Sequence, residues 1–307
     1  MIVIASTKSY ARAMLLDAFE AYASPAHFCL PDDPRAQQAT TAACWFPDMQ
    51  QLRQLPELKV IHSMGAGIEH LNLEEIGTDY QICRIVDQHH KQGMLNYLQW
   101  GVLYYQRSFD VYLQQQQQHI WRQWPQKNEH DVCVGVLGLG ELGAYVAQHL
   151  AAAGYQVRGW SKSLKNIERV DTFAGWSELP AFLAETQILI NLLPLTPETK
   201  QILSDQTFRQ LPQGAAIINS GRGAHLNVDD LMKSLESDHL RGAILDVFEQ
   251  EPLPKEHPLW TTPKVVMTPH VASHAPLDVV VQQILENDRR VLRQQPLINT
   301  VDYLKGY

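Results

Sequence analysis

"VCVGVLGLGELGAYVAQHL", residues 132–150, is an apolar run that breaks into three glycines and then turns amphipathic. Gly138, Gly140 and Gly143 follow the pattern GxGxxG, between a strand-like segment and a helix with Leu142, Val146 and Leu150 on one stripe. The spacing has a physical reason: one glycine permits the tight turn, one lets backbone approach a pyrophosphate, and one lets helix and strand pack closely. The helix N-terminus then turns its leading N–H groups and the positive end of its dipole toward the phosphates. Gly154 ends the helix and "QVRGW" follows as the next strand. That completes a βαβ unit and predicts a bound dinucleotide.

From Asp131 onward the strands "VCVGVLG", "QVRGW", "ILINLLP", "AAIINS", "AILDVF" and "KVVMTPH" alternate with helices or loops. Several are continuous apolar runs, as expected of a parallel sheet covered on both faces. Before residue 94 a separate series, "IVIAS", "HFCL", "AACWF", "LKVIHS" and "YQICRI", predicts another α/β layer. A long connecting helix is predicted from near Met94, with Leu98, Val102, Tyr105, Phe109 and Tyr112 at spacings of three and four. After Pro276 a last helix, with Val280, Ile284 and Val291, is expected to return to the first layer. The reading is an α/β protein of two domains in 307 residues: a discontinuous one, 1–95 and 277–307, and a doubly wound dinucleotide-binding one, 96–276.

Composition narrows the function. A hydrophobic fraction of 45% and a charged fraction of 19% are those of a folded globular chain. The net charge of −8 is spread out, and no run of lysines and arginines could track a phosphate backbone, so no nucleic-acid partner is expected. The N-terminal "MIVIASTKSY" does not read as a signal peptide, and no apolar run approaches the roughly 18 residues of a membrane span. The expected location is cytoplasmic, with no membrane partner. Cys29, Cys44, Cys83 and Cys133 are far apart, without a CxxC pair, and read as reduced buried thiols. The glutamines 114–118 read as a solvated surface. Of the pairs His89-His90 and His270/His274, the second has i, i+4 spacing but lies between Pro269 and Pro276 with no acidic partner in the motif, and no metal is expected.

At the end of the second strand, where an NAD site usually places a carboxylate on the ribose, stand Ser161, Lys162 and Ser163. Two hydroxyls and an ammonium suit a 2′-phosphate, so NADPH is favoured over NADH. In an open α/β sheet, ligands bind beyond the carboxyl ends of the strands. Reading there yields Arg222 after "AAIINS", Asp246 and Glu251 in and after "AILDVF", and His270 after "VVMT". Arginine presents a planar fork to a carboxylate and its adjacent carbonyl. Histidine, protonated near neutrality, can donate the proton a carbonyl oxygen needs when hydride reaches its carbon, and Glu251 would raise its pKa and orient its ring. The set suits reduction of a 2-keto acid.

Six ordered blocks together resemble the D-isomer-specific 2-hydroxyacid dehydrogenase family over nearly the whole chain. They are "SMGAGIEHL" at 63–71, "VGVLGLGELG" at 134–143, "NLLPLTPETKQIL" at 191–203, "NSGRGAHL" at 219–226, "LDVFEQEPLP" at 245–254 and "TPHVA" at 268–272. The resemblance implies a flavodoxin-like substrate domain, a Rossmann coenzyme domain and a homodimer that makes contact around the connecting helix. It implies a substrate-binding, carbonyl-polarising role for Arg222, a partner role for Glu251 and general acid/base catalysis by His270. Cofactor contacts are implied at Gly138, Gly140, Glu141, Leu142, Gly143, Ser161, Lys162, Ser163, Leu193, Pro194 and Asp246, the last beside the nicotinamide carboxamide. Substrate contacts are implied at Trp45, Met64 and the backbone of Gly65, Ala66 and Gly67, with the first domain closing on the second.

"ACWFPD" with Trp45, the "WSKS" turn at 160–163, "HPLW" at 257–260 and the terminal "GY" are similar to a bacterial group within the family that uses NADPH to reduce glyoxylate to glycolate and hydroxypyruvate to D-glycerate. In "MLNY", Asn96 stands where that group usually has a glutamate. Trp45 and Met64 could instead line an apolar pocket for a bulkier 2-keto acid such as phenylpyruvate. A non-catalytic NAD(P)-sensing binding protein is the alternative from another class, against which the Arg222, Glu251 and His270 set argues.

Overall fold

The computed structural model describes residues 1–301; the terminal Gly306-Tyr307 pair lies outside the described residues. The chain divides into two compact units, Met1–His90 with the chain from His274 onward, and Lys91–Ser273.

The first unit is built on five parallel strands: β1 (Ile2–Ala5), β2 (Phe28–Cys29), β3 (Thr41–Cys44), β4 (Val60–Ser63) and β5 (Gln81–Cys83). Their order is β2-β1-β3-β4-β5, the flavodoxin-like arrangement. Alternation along each strand sends Ile2 and Ile4 to one face, against Leu15 and Phe19 of the helix Ser9–Tyr22 and Val280, Val281 and Ile284 of the helix Leu277–Leu292. Val3, Ala42, Cys44 and Ile61 pack the other face with Leu52, Leu71 and Ile76. The C-terminal helix is pinned to the sheet by polar contacts: Asp288 accepts from the Met1 amino group at 3.2 Å and from Thr40 Oγ1 at 2.7 Å.

His62 lies within β4, fully buried. Its Nδ1 donates to the Ser63 carbonyl at 2.8 Å, whereas Nε2 has no partner among the described residues. Burial pushes its pKa down to about 4, against a partial rise from the Ser63 bond. The unfolded chain therefore takes up a proton below pH 6.5 that the native protein refuses until about pH 4. The stabilisation from neutral His62 is complete above pH 6.5 and is lost as pH falls to 4, on the order of 3 kcal/mol in all. Urea unfolding across that window should show this loss in the wild type and much less of it in His62→Gln.

The second unit carries seven parallel strands: β6 (Cys133–Leu137), β7 (Gln156–Ser161), β8 (Val170–Ala174), β9 (Ile188–Asn191), β10 (Ala215–Asn219), β11 (Leu240–Leu245) and β12 (Val265–Met267). The order β12-β11-β10-β9-β6-β7-β8 is the Rossmann winding with one further strand. The direction of winding reverses between β6 and β9, the place at which open α/β sheets bind their ligands beyond the carboxyl ends of the strands. Helices Gln88–Gln106 and Glu141–Ala152 lie on the face with Val134, Val136, Ile190, Ile218 and Ile244. Helices Gly175–Leu183 and Val228–Glu236 lie on the face with Leu137, Leu189, Ile217 and Leu245.

Three local expectations are corrected. The connecting helix starts earlier, at Gln88, and stops at Gln106; Ser108, in left-handed backbone at φ 57°, separates it from a second helix, Phe109–Gln117. Tyr105 is buried before this break and Phe109 is exposed after it, so the apolar spacing ran on through a change of direction. Strand β8 carries no sequence signal because it lies at the sheet edge, half exposed, with no continuous apolar run. Of the glutamines 114–118, Gln115 is buried, and its carbonyl accepts the Ile120 N–H.

Candidate active site

The three glycines do different work. Gly138 has φ +99°, and a Cβ there would fall 2.8 Å from the Leu192 carbonyl oxygen; a Cβ on Gly143 would fall 1.8 Å from the Gly138 oxygen. Gly140, the helix N-cap at φ −76°, would place a Cβ with nothing within 4 Å. Turn and packing demand the outer two, and the middle one leaves an open approach to the helix N-terminus. That open cradle fits a dinucleotide pyrophosphate. Glu141, in the first turn, is paired with Lys91 at 2.6 Å, which offsets its charge beside that cradle.

At the end of β7, Ser161 is buried and its hydroxyl donates to the Ser163 carbonyl at 2.7 Å. The turn is thus shaped by Ser161, while Lys162 and Ser163 face solvent, the lysine 84% exposed and 3.9 Å from Glu198. Leu193 is buried and its N–H donates to Asn191 Oδ1 at 3.3 Å.

Beyond the strand ends, His270 Nδ1 lies 2.8 Å from Glu251 Oε2, and Glu251 Oε1 accepts the Phe248 N–H at 2.9 Å. The bond to Glu251 raises the His270 pKa above its ordinary value; burial opposes this, the Glu251 and Asp246 charges add to it, and the Arg222 charge subtracts. For Glu251 burial is the largest influence and acts upward. The His270 and Phe248 bonds with the His270 and Arg222 charges outweigh it, so the carboxyl stays below its ordinary value. The three side chains share one electrostatic field.

Asp246 has a role the sequence did not reveal. Its carboxylate accepts from Thr268 Oγ1 at 2.6 Å, Val271 N at 2.8 Å and Ala272 N at 2.9 Å, and its carbonyl accepts the His270 N–H at 2.8 Å. Asp246 therefore organises the loop that carries His270, whose own backbone is left-handed at φ 55°. Tyr97 extends this chain through a 2.6 Å bond to Thr268, and burial lifts its hydroxyl pKa to about 12. Tyr97 stands in the "MLNY" stretch whose departure, Asn96, accepts from Gln92 at 2.8 Å. Residues 270–274 are not helical, so the spacing of His270 and His274 does not place them on one face.

In the first unit, Ser63 Oγ lies 3.0 Å from the Gly65 carbonyl and 2.9 Å from that of Gly67, and accepts the Gly65 N–H at 3.0 Å. Of the three amides expected to meet a carboxylate, that of Gly65 is thus committed inside its own loop. Trp45 packs onto the loop, 3.2 Å from where a Gly65 Cβ would stand, and its ring lies 4.0 Å from that of His70. Met64 packs partly buried against the cluster that contains Ile4 and Val280.

The D-isomer specific 2-hydroxyacid dehydrogenase NAD binding domain family matches residues 100–272. Glyoxylate/hydroxypyruvate reductase A of Serratia proteamaculans (strain 568) is 41% identical over 283 residues, 90% of either chain. A D-isomer specific 2-hydroxyacid dehydrogenase family protein from Klebsiella pneumoniae 342 has a TM-score of 0.93 at 42% identity, over 99% of this chain and 97% of that one. An NADPH-dependent glyoxylate/hydroxypyruvate reductase from Sinorhizobium meliloti, solved with NADP and sulfate, has a TM-score of 0.88 at 32% identity, over 100% and 99%.

Proposed function

The chain belongs to the D-isomer-specific 2-hydroxyacid dehydrogenase family and is an NADP-dependent oxidoreductase; from that premise we propose that it reduces small 2-keto acids, glyoxylate to glycolate and hydroxypyruvate to D-glycerate. The observation that carries this reading is the His270–Glu251 pair at 2.8 Å, within the reach of the Arg222 charge and beyond the strand ends of the sheet that bears the glycine turn.

NADPH, when bound, supplies the hydride that reaches the 2-carbon. Gly138, Gly140, Glu141, Leu142 and Gly143 would hold its pyrophosphate end, Lys162 and Ser163 would hold the 2′-phosphate, and Leu193 and Pro194 would line its path. Arg222 orients the keto acid through its planar fork and polarises the carbonyl. Glu251 fixes the His270 ring through Nδ1, and His270 delivers the proton to the carbonyl oxygen from Nε2. Asp246 sets the His270 loop. Trp45, Met64 and the amides of Ala66 and Gly67 are the proposed substrate contacts of the first unit, which is the substrate domain; the second is the coenzyme domain.

Loss of NADPH absorbance with glyoxylate and hydroxypyruvate, run beside NADH and phenylpyruvate, tests the assignment. Turnover of the small acids with NADPH is the expected result, and silence with every keto acid despite NADPH binding would defeat it. His270 acts as the acid in reduction, so kcat/KM should fall as pH rises through its raised pKa. In Glu251→Gln that limb should move down, toward the ordinary imidazole value of about 6.5. An unmoved limb would remove Glu251 from the mechanism.

We also propose a cytoplasmic homodimer. Trp100, Leu103, Phe109, Leu113, Ile120 and Trp121 are exposed along the two helices after Gln88 and the segment that follows, Trp121 at 98%, a concentration of apolar surface that suits a partner. Light scattering should give the mass of two chains, and Trp121→Glu should shift it toward one. No helix among the described residues is long and apolar enough to cross a membrane.

A further inference from the structure

We infer that His225 is a positioning residue that locks the Arg222 turn to the loop after β9, so that the substrate-facing arginine and the cofactor-facing backbone are set together. The inference rests on the reading of Arg222 and of Leu193-Pro194 given above. His225 is fully buried, three residues beyond Arg222. Its Nδ1 accepts the Arg222 N–H at 3.1 Å and lies 2.9 Å from Asn191 Nδ2, while Nε2 faces the Pro194 carbonyl at 3.2 Å.

The partners decide the tautomer. An amide N–H can only donate, so Nδ1 bears a lone pair; a carbonyl can only accept, so Nε2 bears the hydrogen. The ring is a neutral link with an acceptor end on the arginine turn and a donor end on the cofactor loop. Two asparagines complete the frame. Asn191 Nδ2 donates to Asn219 Oδ1 at 2.9 Å, and Asn219 Nδ2 donates to the Arg222 carbonyl at 3.2 Å. Backbone crowding shows how closely the pieces approach: a Cβ on Gly221 would fall 2.8 Å from Asn191 Nδ2 and 3.1 Å from His225 Nδ1. On the cofactor side, the Leu192 N–H donates to the Leu137 carbonyl at 2.8 Å, which ties the loop to the strand that feeds the glycine turn.

Each end of the ring can be removed separately. Asparagine places its amide near Nδ1 and keeps an acceptor for the Arg222 N–H; glutamine places its amide near Nε2 and keeps a donor for the Pro194 carbonyl. His225→Gln should raise the glyoxylate KM about fivefold, the size of one neutral hydrogen bond, with the NADPH Kd within twofold. His225→Asn should do the reverse. Variants that move both constants together, or neither, would overturn the lock and leave His225 as core filling. Nitrogen NMR of the wild-type ring keeps the idea testable if a variant does not fold: a protonated Nε2 with a bare Nδ1 is expected, and a protonated Nδ1 would overturn it. A wild type that binds NADPH but reduces no keto acid defeats the proposed activity instead, and the ring's tautomer and the two NADPH affinities still read the lock.

Discussion

His270→Asn is expected to cut kcat for glyoxylate by at least about a hundredfold and leave the NADPH Kd unchanged, because general acid catalysis contributes about 10²–10⁴ and asparagine has no proton to give at neutral pH. The substitution suits the backbone. His270 sits at φ 55°, where asparagine is among the few residues at ease, so the loop should keep its bonds from the residue-270 N–H to the Asp246 and Thr268 carbonyls. Steady-state rates beside fluorescence-monitored NADPH binding separate chemistry from affinity. A variant that kept a tenth of the wild-type rate would show that the proton comes from elsewhere, and one that lost NADPH binding would show that the loop had moved.

Alanine at Gly143 and at Gly140 should part company sharply. At Gly143 the new methyl would lie 1.8 Å from the Gly138 oxygen, which is backbone and cannot swing away. The helix must then lift off the turn, which should cost upward of about 3 kcal/mol and remove measurable NADPH affinity, since overpacking against a rigid neighbour lies at the severe end of such changes. At Gly140 the methyl meets no atom within 4 Å and the backbone is unstrained, so thermal stability should hold. NADPH binding should weaken at least about tenfold, because the methyl takes the space where pyrophosphate would approach backbone. Thermal melting and NADPH titration of both variants decide it. Wild-type affinity in Gly140→Ala would show that the pyrophosphate does not cross this turn.

The two parallel α/β layers were readable because they rest on short-range regularities. Apolar runs mark buried parallel strands, and a glycine spacing marks the turn between strand and helix; neither depends on distant residues. Regularity misleads where an element lies at an edge or changes direction. Strand β8 carries a mixed pattern because one side of it meets solvent, and the break at Ser108 leaves the apolar spacing unbroken.

Arg222, Glu251 and His270 could be picked out in the chain because each follows a strand end and has chemistry suited to a keto acid. What the linear order could not contain is how each is held. Asp246, expected as a cofactor contact, also holds through its carboxylate the loop that carries His270. Ser161, expected as a phosphate contact, donates its hydroxyl to a carbonyl of its own turn. Tyr97 reaches Thr268 across 171 positions of sequence, and His225 joins its own Arg222 turn to Asn191 and Pro194, some thirty positions earlier. A hydrogen bond is decided by direction and by tenths of an ångström, and these arise only when the sheet brings strand ends side by side. Residue type and spacing determined which groups this protein carries to the ends of its strands. Tertiary packing decided which of them are spent on holding the others in place.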